Sequence, residues 1–245
     1  MQAVVSRPEE LFPQTWFPVA LAPIGTAVDD LHPEERALMS RAVASRVAAF
    51  AAGRRCARHA LARLAVPGLR TDAPIVRDPH GCPRWPAPAV GSISHSPTTA
   101  VAVAARRADA RGVGIDIESV DHGIGLDTLS AVFVAAEVSW LDRQPAAQRT
   151  RLAYVLFSAR EALYKCVYQA ASHRLAPQEV EVTLHAERGL FHAAWRGAAA
   201  ALGLPPLVGR FGHDARHVFA GVWCPPPAHP RIPLLEEISH GSAKA

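Results

Sequence analysis

Apolar and polar positions alternate over GVGIDIE (112–118), so that Val113, Ile115 and Ile117 fall on one face of a strand and Gly114, Asp116 and Glu118 on the other. A second alternating run, TTAVAVAA (98–105), follows GSISHS (91–96) through Pro97; the short polar link 106–111 predicts that it pairs with GVGIDIE. Helical spacing dominates elsewhere. EERALMSRAVASRVAAF (34–50) begins after Pro33, at a first helical position, and a second helix is expected after Gly53 as RRCARHALARLA (54–65), with Ala57, Ala60, Leu61 and Leu64 as its apolar stripe. TLSAVFVAAEVSWLDR (128–143) reads as one helix. RLAYVLFSAREALYKCVYQA (151–170) is the clearest helix of all, its buried stripe formed by Leu152, Leu156, Ala159, Leu163 and Cys166.

Between these lie an opening strand near 19–24, a loop-rich stretch over 66–90 with a short strand at 75–77 and a D-P-H-G turn, and strands over 179–197 and 208–224 that would close a second sheet. The pattern divides the chain into residues 1–111, residues 112–224 and a Pro-rich tail over 225–245, expected to be peripheral.

Composition narrows the class without naming a function. At 245 residues, 49% hydrophobic and 20% charged, the chain can bury one large core or two small ones. Cys56, Cys82, Cys166 and Cys224 are too dispersed for a C-x-x-C pair and suit reduced thiols. No leader pattern opens the chain, and no window approaches the roughly 18 apolar residues of a membrane span, which predicts a soluble cytoplasmic protein. A formal charge of +4 and a pI near 9.2 favour acidic partners. Nucleic acid is a poor candidate, because aromatic residues are 7% of the chain and no basic run is interleaved with them.

Candidate chemistry gathers on a few residues. Asp116 and Glu118, two positions apart on one strand face, repel unless a cation lies beside them, so they are either ligands of a hard divalent metal or two solvated acids at a strand end. Arg54 and Arg58 lie one turn apart, with Arg46 about two turns earlier; they form a phosphate clamp or a solvated basic face. Glu161 and Lys165 have the spacing of a surface ion pair on the face opposite the buried stripe. His95 stands among serines, where structural and functional roles are both open.

The order of these pieces resembles the 4′-phosphopantetheinyl transferases of the type that activates surfactin and enterobactin synthetases. GVGIDIE (112–118) and FSAREALYK (157–165) carry the resemblance; RRCARHAL from Arg54, GCPRWP from Gly81 and GSISHS from Gly91 look like the enterobactin branch and its actinobacterial relatives. The resemblance implies an α+β fold of two similar α/β subdomains about a pseudo-twofold axis, with coenzyme A in the cleft between them. It implies that Asp116, Glu118 and Glu161 hold Mg²⁺ or Mn²⁺, that Glu161 is the base, and that Lys165 and His95 act on the phosphates. Ser94, His95 and Lys165 would contact coenzyme A, while Arg46, Arg54 and Arg77, with Arg58 beside them, would bind its 3′-phosphate and adenine end. The expected partner is an apo acyl or peptidyl carrier protein of a fatty acid, polyketide, nonribosomal peptide or siderophore system, docking on 121–140 with Leu126 and Leu129 as contacts. A monomer is expected, since one chain supplies both halves. Phe157 and Arg160 depart from the usual Trp and Lys of the second block, and Arg77 stands where a lysine is common.

Overall fold

A computed structural model describes residues 5–121 and 125–226; the rest of the predicted tail, and residues 122–124 of the predicted docking segment, lie outside the described residues. The fold is α+β, built on two antiparallel sheets. The first contains β1 (Val19–Pro23), β2 (Ala89–His95) and β3 (Thr99–Arg106) in the order β1-β3-β2. The second contains β4 (Gly112–Ser119), β5 (Val180–His185), β6 (Leu190–Trp195), β7 (Leu207–His213) and β8 (His217–Cys224) in the order β4-β8-β7-β6-β5. Among the described residues five α-helices accompany the sheets: α1 (Pro33–Ala37), α2 (Ala44–Ala62), α3 (Leu126–Ser130), α4 (Ala135–Asp142) and α5 (Ala146–Ala171). The stripe predicted for 54–65 buries against the first sheet, and the stripe of α5 buries against the second. Among the described residues no helix is long and apolar enough to cross a membrane.

The predicted hairpin between 98–105 and 112–118 does not form. β3 pairs with β1 and β2, and β4 pairs with β8, with Asp116 opposite Ala220. The reason is burial. Val101, Val103 and Ala105 join Val113, Ile115 and Ile117 in one core between the sheets, which side-by-side pairing in a single sheet would not close. β2 and β4 nevertheless lie edge to edge, joined by side chains rather than by a backbone ladder. Ser92 Oγ accepts from the Ile115 amide at 3.1 Å, and Gln169 accepts from the Gly91 amide at 3.1 Å while donating to the Val113 carbonyl at 2.8 Å.

Three further boundaries differ from the sequence reading. α2 runs unbroken through Gly53, because that glycine is where the helix passes closest to β2; a Cβ there would sit 2.8 Å from Ile93 Cγ2. The break falls earlier, between α1 and α2, where Leu31, Met39, Phe50 and Ala51 pack together. The helix predicted over 128–143 is two, since Val134 is extended and caps α4 through Glu137, whose Oε2 accepts from the Val134 amide at 2.9 Å. At 75–77 only a single bridge forms, Arg77 to Pro83. The N-terminal residues also depart from a simple division at 111: Val5 bridges Gly212, and Phe12 and Phe17 stack on Trp223 with ring centroids 6.1 and 4.9 Å away.

Candidate active site

β4 turns Gly114, Asp116 and Glu118 toward α5. Gly114 sets the distance: a Cβ there would overlap the Ala162 carbonyl, so only glycine lets helix and strand approach this closely. That approach brings Glu161 and Lys165 beside the acids. Lys165 therefore does not make the predicted surface pair with Glu161; its ammonium donates to Asp116 Oδ1 at 2.6 Å, to Ser94 Oγ at 3.0 Å and to the Ile115 carbonyl at 3.3 Å. Ser94 in turn donates to the same Asp116 oxygen at 2.7 Å.

Asp116 is 2% exposed, and its second oxygen, Oδ2, is buried with no hydrogen-bond partner among the described residues. Burial, then the Asp116 charge, pushes the Glu118 carboxyl up to about 8. Glu161 is raised as well, by burial and by Asp116, with Lys165 opposing. Three carboxyls thus crowd around one ammonium. Among the described residues no three His, Cys, Asp or Glu side chains stand together in a way that could hold a metal ion. The chemistry of the set still fits a hard divalent cation: an orphaned buried carboxylate oxygen and two acids driven toward their protonated forms are what such an ion would satisfy.

Beside this cluster opens a basic cavity of about 170 Å³, lined by Arg46, Phe50, Arg54, Arg77 and His95. Arg54 is almost fully buried; its Nε donates to the Ile75 carbonyl at 2.7 Å, its guanidinium lies 4.1 Å over the Phe50 ring, and burial lowers its pKa to about 10. The Arg77 guanidinium lies 5.3 Å from the centroid of the same Phe50 ring. His95, at the end of β2, has its pKa lowered first by partial burial and then by the Arg46 and Lys165 cations. Arg58 does not line this cavity: Glu35, 0% exposed, holds it at 3.0 and 3.1 Å, and the Asp30 carbonyl takes its other nitrogen. The predicted Arg54–Arg58 pairing is thus split, one arginine facing the cavity and the other anchoring α1 to α2.

A second cavity of about 240 Å³ adjoins the first and shares Gly81, Pro83 and Ile93 with it as a wall; Trp85, Lys165, Tyr168 and Gln169 line its far side. Of these, Lys165 was expected at the site; Trp85, Tyr168 and Gln169 were given no role by the sequence. Tyr168 and Gln169 are three and four positions beyond Lys165, so helical spacing from the lysine would have found them. Trp85 and Pro83 had no such signal, because they sit in a loop without periodicity. Arg160, left without a role by the sequence, is fully buried and paired with Glu137 rather than turned to the site. Leu129 is 0% exposed in the core under α5, so it is not a docking contact; the Leu126 side chain is outside the described residues.

Residues 34–105 match the family model described as the 4′-phosphopantetheinyl transferase N-terminal domain, and residues 112–201 match that of the 4′-phosphopantetheinyl transferase superfamily. Among curated proteins the chain is similar to the 4′-phosphopantetheinyl transferase Svp of Streptomyces mobaraensis, at 36% identity over 66% of this chain and 65% of that protein. It is similar to PptT of Mycobacterium tuberculosis at 36% identity, over 63% of this chain and 66% of that one. Npt of Nocardia iowensis matches at 32% identity, over 64% and 68% respectively. The matched region therefore spans about two thirds of the length of each relative.

Proposed function

The chain belongs to the 4′-phosphopantetheinyl transferase superfamily, and from that premise we propose that it moves the phosphopantetheine arm of coenzyme A onto a serine hydroxyl of an apo carrier protein. The observation that carries this reading is the junction of Lys165, Asp116 and Ser94, set between a cavity lined by three arginines and a second, more apolar cavity. A molecule with phosphates at one end and a thiol-ended arm at the other needs both environments, with charge neutralisation between them.

In this reading Arg46, Arg54 and Arg77 bind the 3′-phosphate end, where guanidinium forks match phosphate oxygens. Asp116, Glu118 and Glu161 would hold the divalent ion, Mg²⁺ or Mn²⁺, and such an ion, when bound, neutralises the pyrophosphate and orients it for in-line displacement. Glu118 keeps its proton until a cation offsets the charge of Asp116. Glu161, held by burial above the ordinary carboxylate range, takes the proton of the attacking serine. The serine oxygen forms a bond to the β-phosphorus of coenzyme A, the bond from that phosphorus to the bridging oxygen breaks, and 3′,5′-ADP leaves with the electron pair. Lys165 and His95 donate to the phosphate oxygens as charge builds there. One chain supplies both sides of the cleft, so the reading is of a cytoplasmic monomer acting on acidic carrier proteins, which a basic surface attracts.

The test is the intact mass of a purified apo carrier protein after incubation with the chain, coenzyme A and Mg²⁺. The expected result is a gain of one phosphopantetheine arm that disappears with chelator and in Glu161→Ala. No gain with carriers of several classes, despite binding of coenzyme A, would make the protein a binding module instead.

A further inference from the structure

Two of the three residues of the wall shared by the two cavities, Gly81 and Pro83, belong to a tight turn over 77–83, and Asp78 organises it. Its Oδ1 accepts from the His80 amide at 2.8 Å and the Cys82 amide at 2.9 Å, its own amide donates to the Cys82 carbonyl at 2.8 Å, and Arg77 pairs with Pro83 at the base. The other carboxylate oxygen, Oδ2, accepts a hydrogen bond of 2.5 Å from the Tyr168 hydroxyl. Asp78 comes from the loop before the first sheet's β2, and Tyr168 from α5 on the second sheet. With the His80 ring, which meets Tyr168 edge-on at 5.9 Å between centroids, this hydrogen bond fastens the turn across the cleft to the helix bearing Glu161 and Lys165.

We infer that the Asp78–Tyr168 hydrogen bond is a latch that positions the shared wall, so that Asp78, which lines neither cavity, controls ligand binding in both. The inference rests on reading the cleft as a coenzyme A site. With the latch closed, Gly81 and Pro83 stay packed toward Ile93, and Arg77 at the turn's base stays aimed into the basic cavity beside Arg46 and Arg54. With it open, the turn keeps its own internal hydrogen bonds but loses its polar tie to α5, leaving only the edge contact of the His80 ring with residue 168. Both cavities then lose one side at once.

Adenosine 3′,5′-bisphosphate, which carries only the phosphate-rich end, and coenzyme A separate this role from ordinary contact. Calorimetric titration of each ligand into the wild type, Tyr168→Phe, Asp78→Asn and the double variant is the experiment. The latch predicts that each single variant weakens both ligands by about tenfold, the factor matching one charge-assisted hydrogen bond, and that the double variant is no weaker than either. Tyr168→Phe weakening coenzyme A alone would reduce Tyr168 to a contact in the second cavity, and Asp78→Asn binding both ligands normally would overturn the latch outright. Hydrogen exchange in the free protein adds a readout independent of ligand: the amides of His80, Gly81 and Cys82 should exchange faster in Tyr168→Phe while those of β4 and α5 do not, and uniform acceleration would show a general loss of stability instead. Failure of the wild type to bind either ligand would refute the coenzyme A reading, and the latch with it; normal wild-type binding with unaffected variants would refute the latch alone.

Discussion

Asp116 has two oxygens in unlike surroundings: Oδ1 takes Lys165 and Ser94, and Oδ2 is buried with no donor in hydrogen-bond geometry among the described residues. Glu161 lies beside that pair with its carboxyl raised by burial, the direction that makes a carboxylate a stronger base. Glu161→Gln should lower carrier modification by about 10² to 10⁴ while leaving the affinity for adenosine 3′,5′-bisphosphate unchanged. A rate within tenfold of wild type in a single-turnover assay would remove Glu161 from the base role. Tyr168 gives a second test at this scale. Its hydroxyl donates to the Asp78 carboxylate, and ionising it would place two negative charges together, so the phenol is pushed up to about 12 from 10. The folded state then holds that proton across pH 10 to 12 while the unfolded chain loses it, and the stability Tyr168 contributes falls as pH rises through that window. The chain has three tyrosines, so the near-ultraviolet tyrosinate band resolves the change: in Asp78→Asn one of them should ionise earlier than in wild type. Identical titration curves would mean that the hydrogen bond does not hold in solution.

Elements whose face is set by their own periodicity were legible in the sequence. The faces of β4 and the stripes of α2 and α5 follow from apolar spacing alone, and so does the placement of Asp116 and Glu118 on one side. What spacing does not encode is which edge a strand meets, hence the predicted β3–β4 hairpin; the side-chain splices of Ser92 and Gln169 have no periodic signature. Nor does spacing show that a helix-forming run is cut by a buried charge elsewhere. Glu137 divides 128–143 because its carboxylate is needed below: it accepts from the Val134 and Val182 amides and from Arg160, whose guanidinium also donates to the Pro177 and Val180 carbonyls. This fully buried pair ties α4 and β5 to α5, one residue before Glu161. Arg160→Met should cost about 3–5 kcal/mol in urea denaturation, since it leaves Glu137 buried without its cation. Glu137→Leu added to it should recover part of that loss, and a cost for the single change under about 1 kcal/mol would show that the pair is hydrated in solution.

The whole molecule is held by a core that neither half owns. Phe12 and Phe17 from the N-terminal segment, Val101 and Val103 from the first sheet, and Ile115, Phe219 and Trp223 from the second meet between the sheets. Cutting the chain at 111 would expose this surface on both pieces, so residues 112–226 made alone should give the poorly dispersed amide spectrum of a chain without fixed packing, and adding residues 1–111 should restore dispersion. The proposed coenzyme A cleft lies along the same seam, spanned by Lys165 to Ser94 and Tyr168 to Asp78. A ligand bound there favours the two halves together. Adenosine 3′,5′-bisphosphate at a hundred times its dissociation constant should therefore move one thermal transition upward by the equivalent of about 2.7 kcal/mol, without splitting it. Two transitions in calorimetry, only one of them moved by the ligand, would show that the halves fold independently and that the seam is an interface between separate domains, in which case the buried aromatic cluster could not couple the N-terminal segment to the site.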